Sequence, residues 1–384
     1  MNSDIIIRKA DNRKRMKDFL HVARSIYHGC LQYVPDWEDD ILDYFDPKQN
    51  SGLHFCDVQP FVAYRHDVPV GRIVGIVNHK ANKRWQVSNV RFSMIEFVND
   101  MEVSSALLQA VADWGAGHGM TTLQGPMGIT DFDKEGMLVE DFHLLGSMSA
   151  YYNPYYYPRH IEAFGMEKET DWLQIRIDVP KEVPAKYKRV SQYVKDQLGL
   201  RVVKITKKET LRVGGIGESV FHLLNETYKS IFGFSELSDA QIREFLKKYV
   251  QLIDLSLVPV VLNDNDEIVG VAITMGSISK ALKKSKGRMW PFGWYHLLKS
   301  LRWQHEDHAE MLLIGVRPDY QGLGVNALFF DDLIPIYNKY GFRWAETGPQ
   351  LEDNHRELSQ WKPLHPQYVK RRRCYKMNLT NGNN

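Results

Sequence analysis

The sequence has few cysteines, no long apolar run and almost no net charge. The three cysteines, Cys30, Cys56 and Cys374, are an odd number at wide spacing, so a disulfide framework and a cysteine-based zinc site are excluded as organising features. No stretch approaches the ~18 apolar residues of a membrane-spanning helix, and we therefore expect no integral membrane association. The 49 basic and 47 acidic residues nearly balance, which argues against a nucleic-acid partner.

The N-terminal sequence MNSDIIIRKA also lacks the apolar segment of a secretory signal peptide. We therefore expect a reduced, cytoplasmic protein. The remaining composition is typical of globular domains, because 43% of the residues are hydrophobic and 25% are charged, with an aromatic share of 12%. The length of 384 residues predicts two domains.

A charged, proline-containing segment marks the predicted domain boundary. Residues 178–188 read DVPKEVPAKYK, and proline holds itself and the preceding residue in extended conformations. We predict a domain over residues 1–179, a linker over 180–188 and a second domain over 189–384.

The two halves repeat the same order of predicted elements. Each half begins with a strand, continues through two helices and a strand pair, and ends with a strand, a helix and a further strand. The dipeptide Gly-Pro follows the last strand in both halves, at Gly125-Pro126 and Gly348-Pro349. An internal duplication of roughly 180 residues explains this order. Two unrelated α/β domains remain the alternative.

The most informative segment is MLLIGVRPDYQGLGVNALFFDDLIPIY, residues 311–337. Its pattern predicts a strand, a glycine-containing turn and an amphipathic helix. Gly322 and Gly324 let the backbone bend sharply and approach a ligand closely. The first amides of the helix have no intrahelical partner, so the turn is suited to a phosphate or pyrophosphate. The spacing matches neither an NTP-binding P-loop nor a dinucleotide-binding fingerprint.

This segment resembles the Q/R-x-x-G-x-G/A motif of the GNAT acyl-CoA N-acyltransferase superfamily. Gln321 and Gly324 match the motif, whereas Asn326 stands where glycine or alanine is usual. Downstream, Asn354 is similar to an asparagine that lies near the pantetheine arm, and residues 368–377 resemble the closing strand of the fold. The resemblance is specific over about 255–377, and over 5–179 it concerns the order of elements only.

The resemblance implies an α/β fold of two tandem GNAT-like domains, each with a mixed, mainly antiparallel sheet flanked by helices. It also implies acetyl-CoA or another acyl-CoA as co-substrate, with the pyrophosphate held by the loop amides. We expect Gly324→Glu to abolish coenzyme A binding without unfolding the protein, because the Cβ and the charge would enter the space meant for phosphate. The implied cofactor-binding residues are Ile314, Gly315, Val316, Gln321, Gly322, Leu323, Gly324, Val325, Asn326 and Asn354.

Acyl transfer to an amine needs a general base, a polarised thioester carbonyl and a proton donor for the thiolate. The spacing of Glu310 ahead of Gln321 resembles that of a glutamate base in histone-acetyltransferase-like members, with Glu346 and His308 as further candidates. On a regular strand, residues 310, 312, 314 and 316 share one face. The tyrosine that usually serves as acid is missing from the predicted helix over 354–361, which leaves Tyr368, Tyr375 or water.

The corresponding turn of the first half, residues 97–104, has no glycine and carries Asp100 and Glu102. These carboxylates would repel a pyrophosphate, so we predict that the first domain keeps the fold and has lost cofactor binding. The nearby sequence YYNPYYYP (151–158) is open to two interpretations, a pocket lining at the domain interface or a packed loop.

A basic, aromatic segment interrupts the second half. Residues 268–305 contain seven lysines and arginines and no acid, and Trp294, Leu297, Leu298 and Leu301 fit one helical stripe. Three interpretations remain open: a helix packed on its own domain, a wall of the acceptor site, or a surface helix that contacts anionic lipid.

The sequence as a whole predicts a cytoplasmic acyl-CoA-dependent N-acyltransferase. The acceptor is a small-molecule or peptide amine, and no metal is expected. The alternative is a non-catalytic or regulatory protein that binds coenzyme A.

Overall fold

The structure is a computed structural model that describes residues 4–379, without the side chain of Arg356. Two compact units divide the chain. The first unit contains the residues up to Leu173 and those from Lys370 onward, and the second contains Gln174–Val369.

The first unit alternates strands and helices. Their bounds are β1 (Ile5–Lys9), α1 (Arg13–Ile26), α2 (Glu38–Tyr44), β2 (Cys56–Arg65), β3 (Val68–Asn78), α3 (His79–Trp85), β4 (Asn89–Phe97), α4 (Met101–Gly117), β5 (Thr122–Gly125), β6 (Met137–Leu138), α5 (Tyr157–Ala163) and β7 (Glu167–Asp178), of which residues 174–178 belong to the second unit.

The second unit begins with a helix and is also built on a sheet. Its elements are α6 (Ala185–Leu198), β8 (Arg201–Val203), α7 (Lys207–Thr210), α8 (Ile216–Tyr228), α9 (Asp239–Tyr249), β9 (Val260–Leu262), β10 (Ile268–Gly276), α10 (Ser279–Ser285), α11 (Gly293–Leu298), β11 (His308–Val316), α12 (Val325–Tyr340), β12 (Trp344–Thr347), β13 (Gln350–Leu351) and α13 (His355–Gln360); the last strand of the chain is β14 (Gln367–Asn378).

The sheet of the first unit is mainly antiparallel. Strands β1 to β4 follow one another in antiparallel pairs, and β4 then pairs with β5 in parallel. Helix α4 connects these two parallel strands and buries Val103, Leu107, Leu108 and Val111. A parallel pair needs such a crossover connection because a tight turn cannot join its strands.

The sheet of the second unit has the same plan. Strands β8 to β11 form antiparallel pairs, and β11 pairs with β12 in parallel. Helix α12 makes the crossover and buries eight side chains, among them Leu328, Phe329 and Leu333, in the core of the unit. The shared plan of an antiparallel series, a crossover helix and a parallel strand agrees with the predicted repeat of elements.

Each sheet is completed by a strand from the other half of the sequence. In the second unit, residues 176–178 of β7 pair with β12. In the first unit, β14 pairs antiparallel with β5, with Tyr375 opposite Gly125. The predicted placement of residues 368–377 as the closing strand of the second domain is therefore corrected, because the ladder of β14 lies on the first sheet from Lys370 onward.

The tyrosines of residues 151–158 are mostly packed inside the first unit. The Tyr157 hydroxyl lies 2.9 Å from Glu96 Oε2 and accepts the Phe97 amide hydrogen at 2.7 Å. The Tyr151 and Tyr152 hydroxyls also have hydrogen-bond partners in this unit, whereas the Tyr155 side chain is 74% exposed. Burial raises the pKa of Glu96 to about 7. The charge of Arg72 and the hydrogen bonds from Tyr27 and Tyr157 oppose this shift.

Within residues 4–379, no helix is both long enough and apolar enough to cross a membrane.

Candidate functional site

The predicted phosphate-binding turn joins β11 to α12. After Val316 the chain makes a short 3₁₀ turn over Pro318–Tyr320, and Gly322 and Gly324 then adopt left-handed conformations with φ of +81° and +92°. Glycine adopts this region without the steric cost that a Cβ imposes. The turn therefore positions the first amides of the sixteen-residue helix α12, where the helix dipole also favours an anion.

Charged side chains beside this turn are paired with each other. Arg317 Nε donates to Asp319 Oδ1 at 2.8 Å, and Arg317 Nη1 donates to Glu267 Oε2 at 3.1 Å. These bonds lower the pKa of Asp319 and raise the pKa of Arg317. Because Arg317 is held by two carboxylates, the amides and the dipole of α12 are the main features that the turn offers to an anion.

Two of the predicted cofactor residues tie the turn to neighbouring elements. Gln321 Nε2 donates to the carbonyl of Val316 at 3.0 Å, and Asn326 Nδ2 donates to Gln360 Oε1 on α13. The Val325 side chain is buried at the start of α12, whereas the Leu323 side chain is 45% exposed on the turn. Leu323 is therefore the side chain of the turn that can be changed with little effect on packing.

A Cβ at Gly324 would meet protein. It would lie 2.6 Å from Cγ1 of Val190 and 3.3 Å from Cγ2 of Val194, both on α6. The first atom that this Cβ meets therefore belongs to a packed helix, and the expected effect of Gly324→Glu on coenzyme A binding stays a prediction. Around Gly322 nothing lies within 4 Å of the corresponding Cβ.

A β-bulge interrupts β11 at Leu312. Leu313 is opposite Ile273 and Met311 is opposite Thr274 on β10, so Leu312 is an extra residue without a partner in the ladder. An extra residue shifts the alternation of side chains by one position. The expectation that residues 310, 312, 314 and 316 share one face is therefore corrected.

The parallel pair β11–β12 ends next to the bulge. Its register runs from His308 opposite Trp344 to Met311 opposite Thr347, followed by a bond from the Gly348 amide to the Met311 carbonyl at 2.8 Å. A small apolar cavity of about 30 Å³ lies beside this end. Its lining includes Met311, Leu312, Leu313, Ile314, Phe329, Phe330, Leu333, Tyr337, Thr347, Gln350 and Trp361.

The backbone edge of β11 beyond the bulge is covered by the end of α8. The Tyr228 hydroxyl donates to the Ile314 carbonyl at 2.9 Å and lies 3.3 Å from the Ile314 amide nitrogen. The Thr227 hydroxyl lies 3.5 Å from the Val316 carbonyl, and a Cβ at Gly315 would lie 2.9 Å from Leu224 Cδ2. The backbone of three predicted cofactor residues thus lies against α8, and no local sequence pattern singles out Tyr228.

Glu310 and Glu346 are direct neighbours. They are opposite each other in the β11–β12 register, and their exposed fractions are 2% and 3%. Gln174 Nε2 donates to Glu346 Oε1 at 3.1 Å. The structure thus brings the two predicted base candidates together.

Asn354 is the N-cap of α13. Its Oδ1 accepts the Glu357 amide hydrogen at 3.3 Å, as side chains at this helix position commonly do. Burial raises the pKa of the Glu357 carboxyl to about 7, while Trp361 and Gln360 oppose this shift. Glu357 therefore adds a group that titrates near neutral pH on the helix that lacks a tyrosine, and the sequence analysis did not single it out.

Tyr375, the predicted general acid, lies in the first unit. It is fully buried in β14, and its hydroxyl donates to Glu162 Oε1 on α5 at 3.1 Å. Burial is the main reason that the pKa of Tyr375 is raised. The structure thus assigns Tyr375 and the predicted loop to different units, and its catalytic role stays a prediction.

The corresponding turn of the first unit is filled by protein groups. Arg65 Nη1 contacts Asp100 Oδ2 at 2.5 Å, and Arg65 Nη2 contacts Glu102 Oε2 at 3.2 Å. His160 Nε2 lies 3.0 Å from Asn99 Oδ1 on the same turn. Carboxylates with a bound arginine therefore stand where glycines stand in the second unit.

Within the described part of the chain, residues 4–379, no group of three or more His, Cys, Asp or Glu side chains could hold a metal ion.

The sequence of the chain is similar to that of a curated protein. No protein-family model matches the chain. A curated protein of Caulobacter vibrioides named bacterial ceramide synthase is 26% identical over 322 residues, which cover 83% of this chain and 82% of that protein.

Solved structures share the architecture over almost the whole chain. A tandem GNAT protein from the clavulanic acid biosynthesis pathway matches with a TM-score of 0.58 and 12% identity, over 99% of this chain and 100% of that chain. The chain has a tandem GNAT fold. A GCN5-related N-acetyltransferase from Sphaerobacter thermophilus matches with a TM-score of 0.53 and 12% identity, over 100% of this chain and 98% of that chain.

The two glycines of the turn before α12, Gly322 and Gly324, give a matched pair of substitutions. Gly322→Ala and Gly324→Ala both force a left-handed conformation on alanine, at a cost of about 1–2 kcal/mol. Only Gly324→Ala also drives a methyl group into Val190, which adds about 1–3 kcal/mol. Urea unfolding should therefore show a clearly larger loss in the free energy of unfolding for Gly324→Ala. Equal losses in the free energy of unfolding would mean that α6 moves away from the added methyl group without destabilising the protein.

Proposed function

We propose that the protein is a cytoplasmic N-acyltransferase that transfers an acyl group from acyl-CoA to an amine in its second unit. One observation carries the proposal: the glycine turn at the start of α12 and the apolar cavity beside the end of the β11–β12 pair occur on a GNAT fold. The turn would hold the pyrophosphate, and the pantetheine arm and acyl group would run along β11 toward the bulge.

The backbone of β11 would align the pantetheine arm. Ile314 and Val316 present backbone groups at this edge, and hydroxyl groups of α8 contact them in the structure. A pantetheine amide needs the same donors and acceptors, so cofactor binding would replace the hydroxyl of Tyr228 at Ile314. In this proposal Tyr228 and the cofactor compete for one site.

The reaction requires a proton to leave the attacking nitrogen. The amine nitrogen forms a bond to the thioester carbonyl carbon, the carbon–sulfur bond breaks, and the thiolate takes a proton. Glu310 is the proposed base, with Glu346 beside it as the second candidate. Water is the proposed proton donor for the thiolate, since Tyr375 lies in the first unit and its hydroxyl donates to Glu162.

The proposal also names the class of amine that accepts the acyl group. A ceramide is an N-acylated long-chain amino alcohol, and the Caulobacter relative carries the name ceramide synthase at 26% identity. Long-chain amino alcohols are therefore the first acceptors to test, followed by other small-molecule or peptide amines. The acyl donors to compare are acetyl-CoA and longer acyl-CoAs.

A non-catalytic protein that binds coenzyme A is the second candidate. The observation in its favour is that α13, over His355–Gln360, contains no tyrosine to act as the acid. A thiol-release assay over a panel of amines separates the two candidates, because only an acyltransferase releases free coenzyme A in proportion to the amine.

The pyrophosphate site is tested by a charge placed on the turn. Leu323→Glu should weaken acyl-CoA binding by roughly tenfold or more, because the carboxylate repels the pyrophosphate. Leu323→Gln has the same size without the charge and should bind nearly as the native protein does.

Calorimetric titration should also give one coenzyme A per chain, since Arg65 and its carboxylates fill the turn of the first unit. Equal affinities of the two variants, or two bound ligands, would contradict the assignment.

The role of Tyr228 can be tested by removing its hydroxyl. Tyr228→Phe should raise the affinity for acyl-CoA by roughly fivefold, because one hydrogen bond, worth about 1 kcal/mol net, no longer has to be broken. Tyr340→Phe is the control, since the Tyr340 hydroxyl bonds Asp254 Oδ2 away from β11. Weaker binding of Tyr228→Phe would show that the hydroxyl supports the cofactor and does not compete with it.

The base is tested by exchanging each glutamate for its amide. Glu310→Gln keeps the shape of the side chain and removes its basicity, so turnover should fall by roughly 10²–10⁴ while the acyl-CoA affinity changes little. The same exchange at Glu346 should have a smaller effect on turnover. If Glu310→Gln retains near-native turnover and Glu346→Gln does not, the base is Glu346.

A further inference from the structure

The basic, aromatic segment over residues 280–303 presents an apolar outer surface. It consists of most of α10, the short helix α11 and a π-helical turn over Lys299–Trp303. Three of its large side chains are mostly exposed, Trp290 at 77%, Phe292 at 68% and Trp303 at 65%. Such side chains gain most from burial, so a group of them on a surface marks an interaction site.

The inner side of this segment is fixed to the second unit. Leu282, Leu297 and Ser300 are buried, and the carboxylate of the buried Glu306 accepts the Lys280 amide hydrogen at 2.7 Å. The predicted stripe over 294–301 is therefore only partly used for packing, because Leu297 is buried while Trp294 and Leu298 are exposed. Packing on its own domain explains the inner side of the segment and leaves the outer side unexplained.

The exposed rings are neighbours. The centroids of Tyr295 and Trp303 are 6.1 Å apart, and those of Tyr295 and Trp294 are 6.2 Å apart. The Trp294 indole donates to the Pro291 carbonyl at 3.0 Å, which joins this group to the stretch that carries Trp290 and Phe292. The rings of Trp294, Tyr295 and Trp303 therefore form one group, and the backbone between the exposed Trp290 and Phe292 is bonded to it.

The charges that the segment itself carries have one sign, whereas Glu306 and Asp307 shortly after it interact with Lys280. No acidic residue occurs from 268 to 305, so the segment supplies no carboxylate to its own cations. The exposed cationic side chains are Lys280, Lys284, Lys286, Arg288 and Arg302.

We propose that residues 280–303 form a peripheral docking surface for bilayers that contain anionic phospholipids. Trp290, Phe292 and Trp303 enter the interfacial layer, and the surrounding lysines and arginines contact the headgroup phosphates. The exposed aliphatic side chain of Leu298 fits a lipid layer better than a nucleic acid, because it adds nothing to base stacking. The proposal does not depend on the proposed acyl transfer, since it rests on this surface alone.

Sedimentation of the full-length protein with vesicles tests the proposal. The protein should bind vesicles of phosphatidylcholine and phosphatidylglycerol, bind vesicles of phosphatidylcholine alone much more weakly, and dissociate as the salt concentration rises. Lys284→Gln, Lys286→Gln and Arg288→Gln together should weaken binding by roughly 100-fold. The control exchanges three exposed lysines elsewhere in the second unit, Lys208, Lys247 and Lys339, for glutamine.

The aromatic side chains are tested in the same way. Trp290→Ser, Phe292→Ser and Trp303→Ser together should abolish most vesicle binding, whereas serine at the exposed Tyr193, Leu211 and Val213 should not. Brominated lipids should quench the tryptophan fluorescence of the native protein more strongly than that of a Trp290→Phe, Trp303→Phe variant, which keeps the apolar character and retains the exposed Trp294.

Binding is measured without acyl-CoA, so its outcome is separate from that of the thiol-release assay. Equal losses in the test and control variants would overturn the proposal. Binding to single-stranded oligonucleotides in place of vesicles would also overturn it and would assign the surface to nucleic acid.

Discussion

The candidate site depends on a parallel pair of strands that a short turn cannot join. Strands β11 and β12 run in the same direction, so the chain must cross back over the sheet between them, and α12 makes that crossing. The crossing places the start of α12 beyond the end of β11, and the glycines of the turn allow the sharp change of direction. The N-terminal end of the helix and the end of the paired strands are thereby on the same side of the unit.

Some of this arrangement could be predicted from local sequence. The glycines of residues 321–326 and the periodic apolar residues after them identify the turn and the helix, because backbone conformation and burial act within a few residues. The turn at His66-Asp67, between β2 and β3, follows for the same reason, since both residues adopt the left-handed region with φ of 48° and 62°.

Other features depend on contacts between distant parts of the sequence. The bulge at Leu312 has no glycine or proline to signal it, and it appears only when β11 is aligned with β10. Tyr228 reaches Ile314 across 86 residues of sequence, and no pattern around either residue indicates this bond. The close contact between a Cβ at Gly324 and Val190 likewise depends on the position of α6, which the glycine motif does not indicate.

The origin of the closing strands sets an order for the synthesis of this protein. The N-terminal half leaves the ribosome first, but one edge of its sheet, at β5, stays without its neighbour until the residues of β14 have been translated. The second unit has its closing strand, β7, ready before its own sheet begins. An unpaired strand edge can associate with other chains. The half that is translated first is therefore the last to be completed, and it carries an open edge through most of translation.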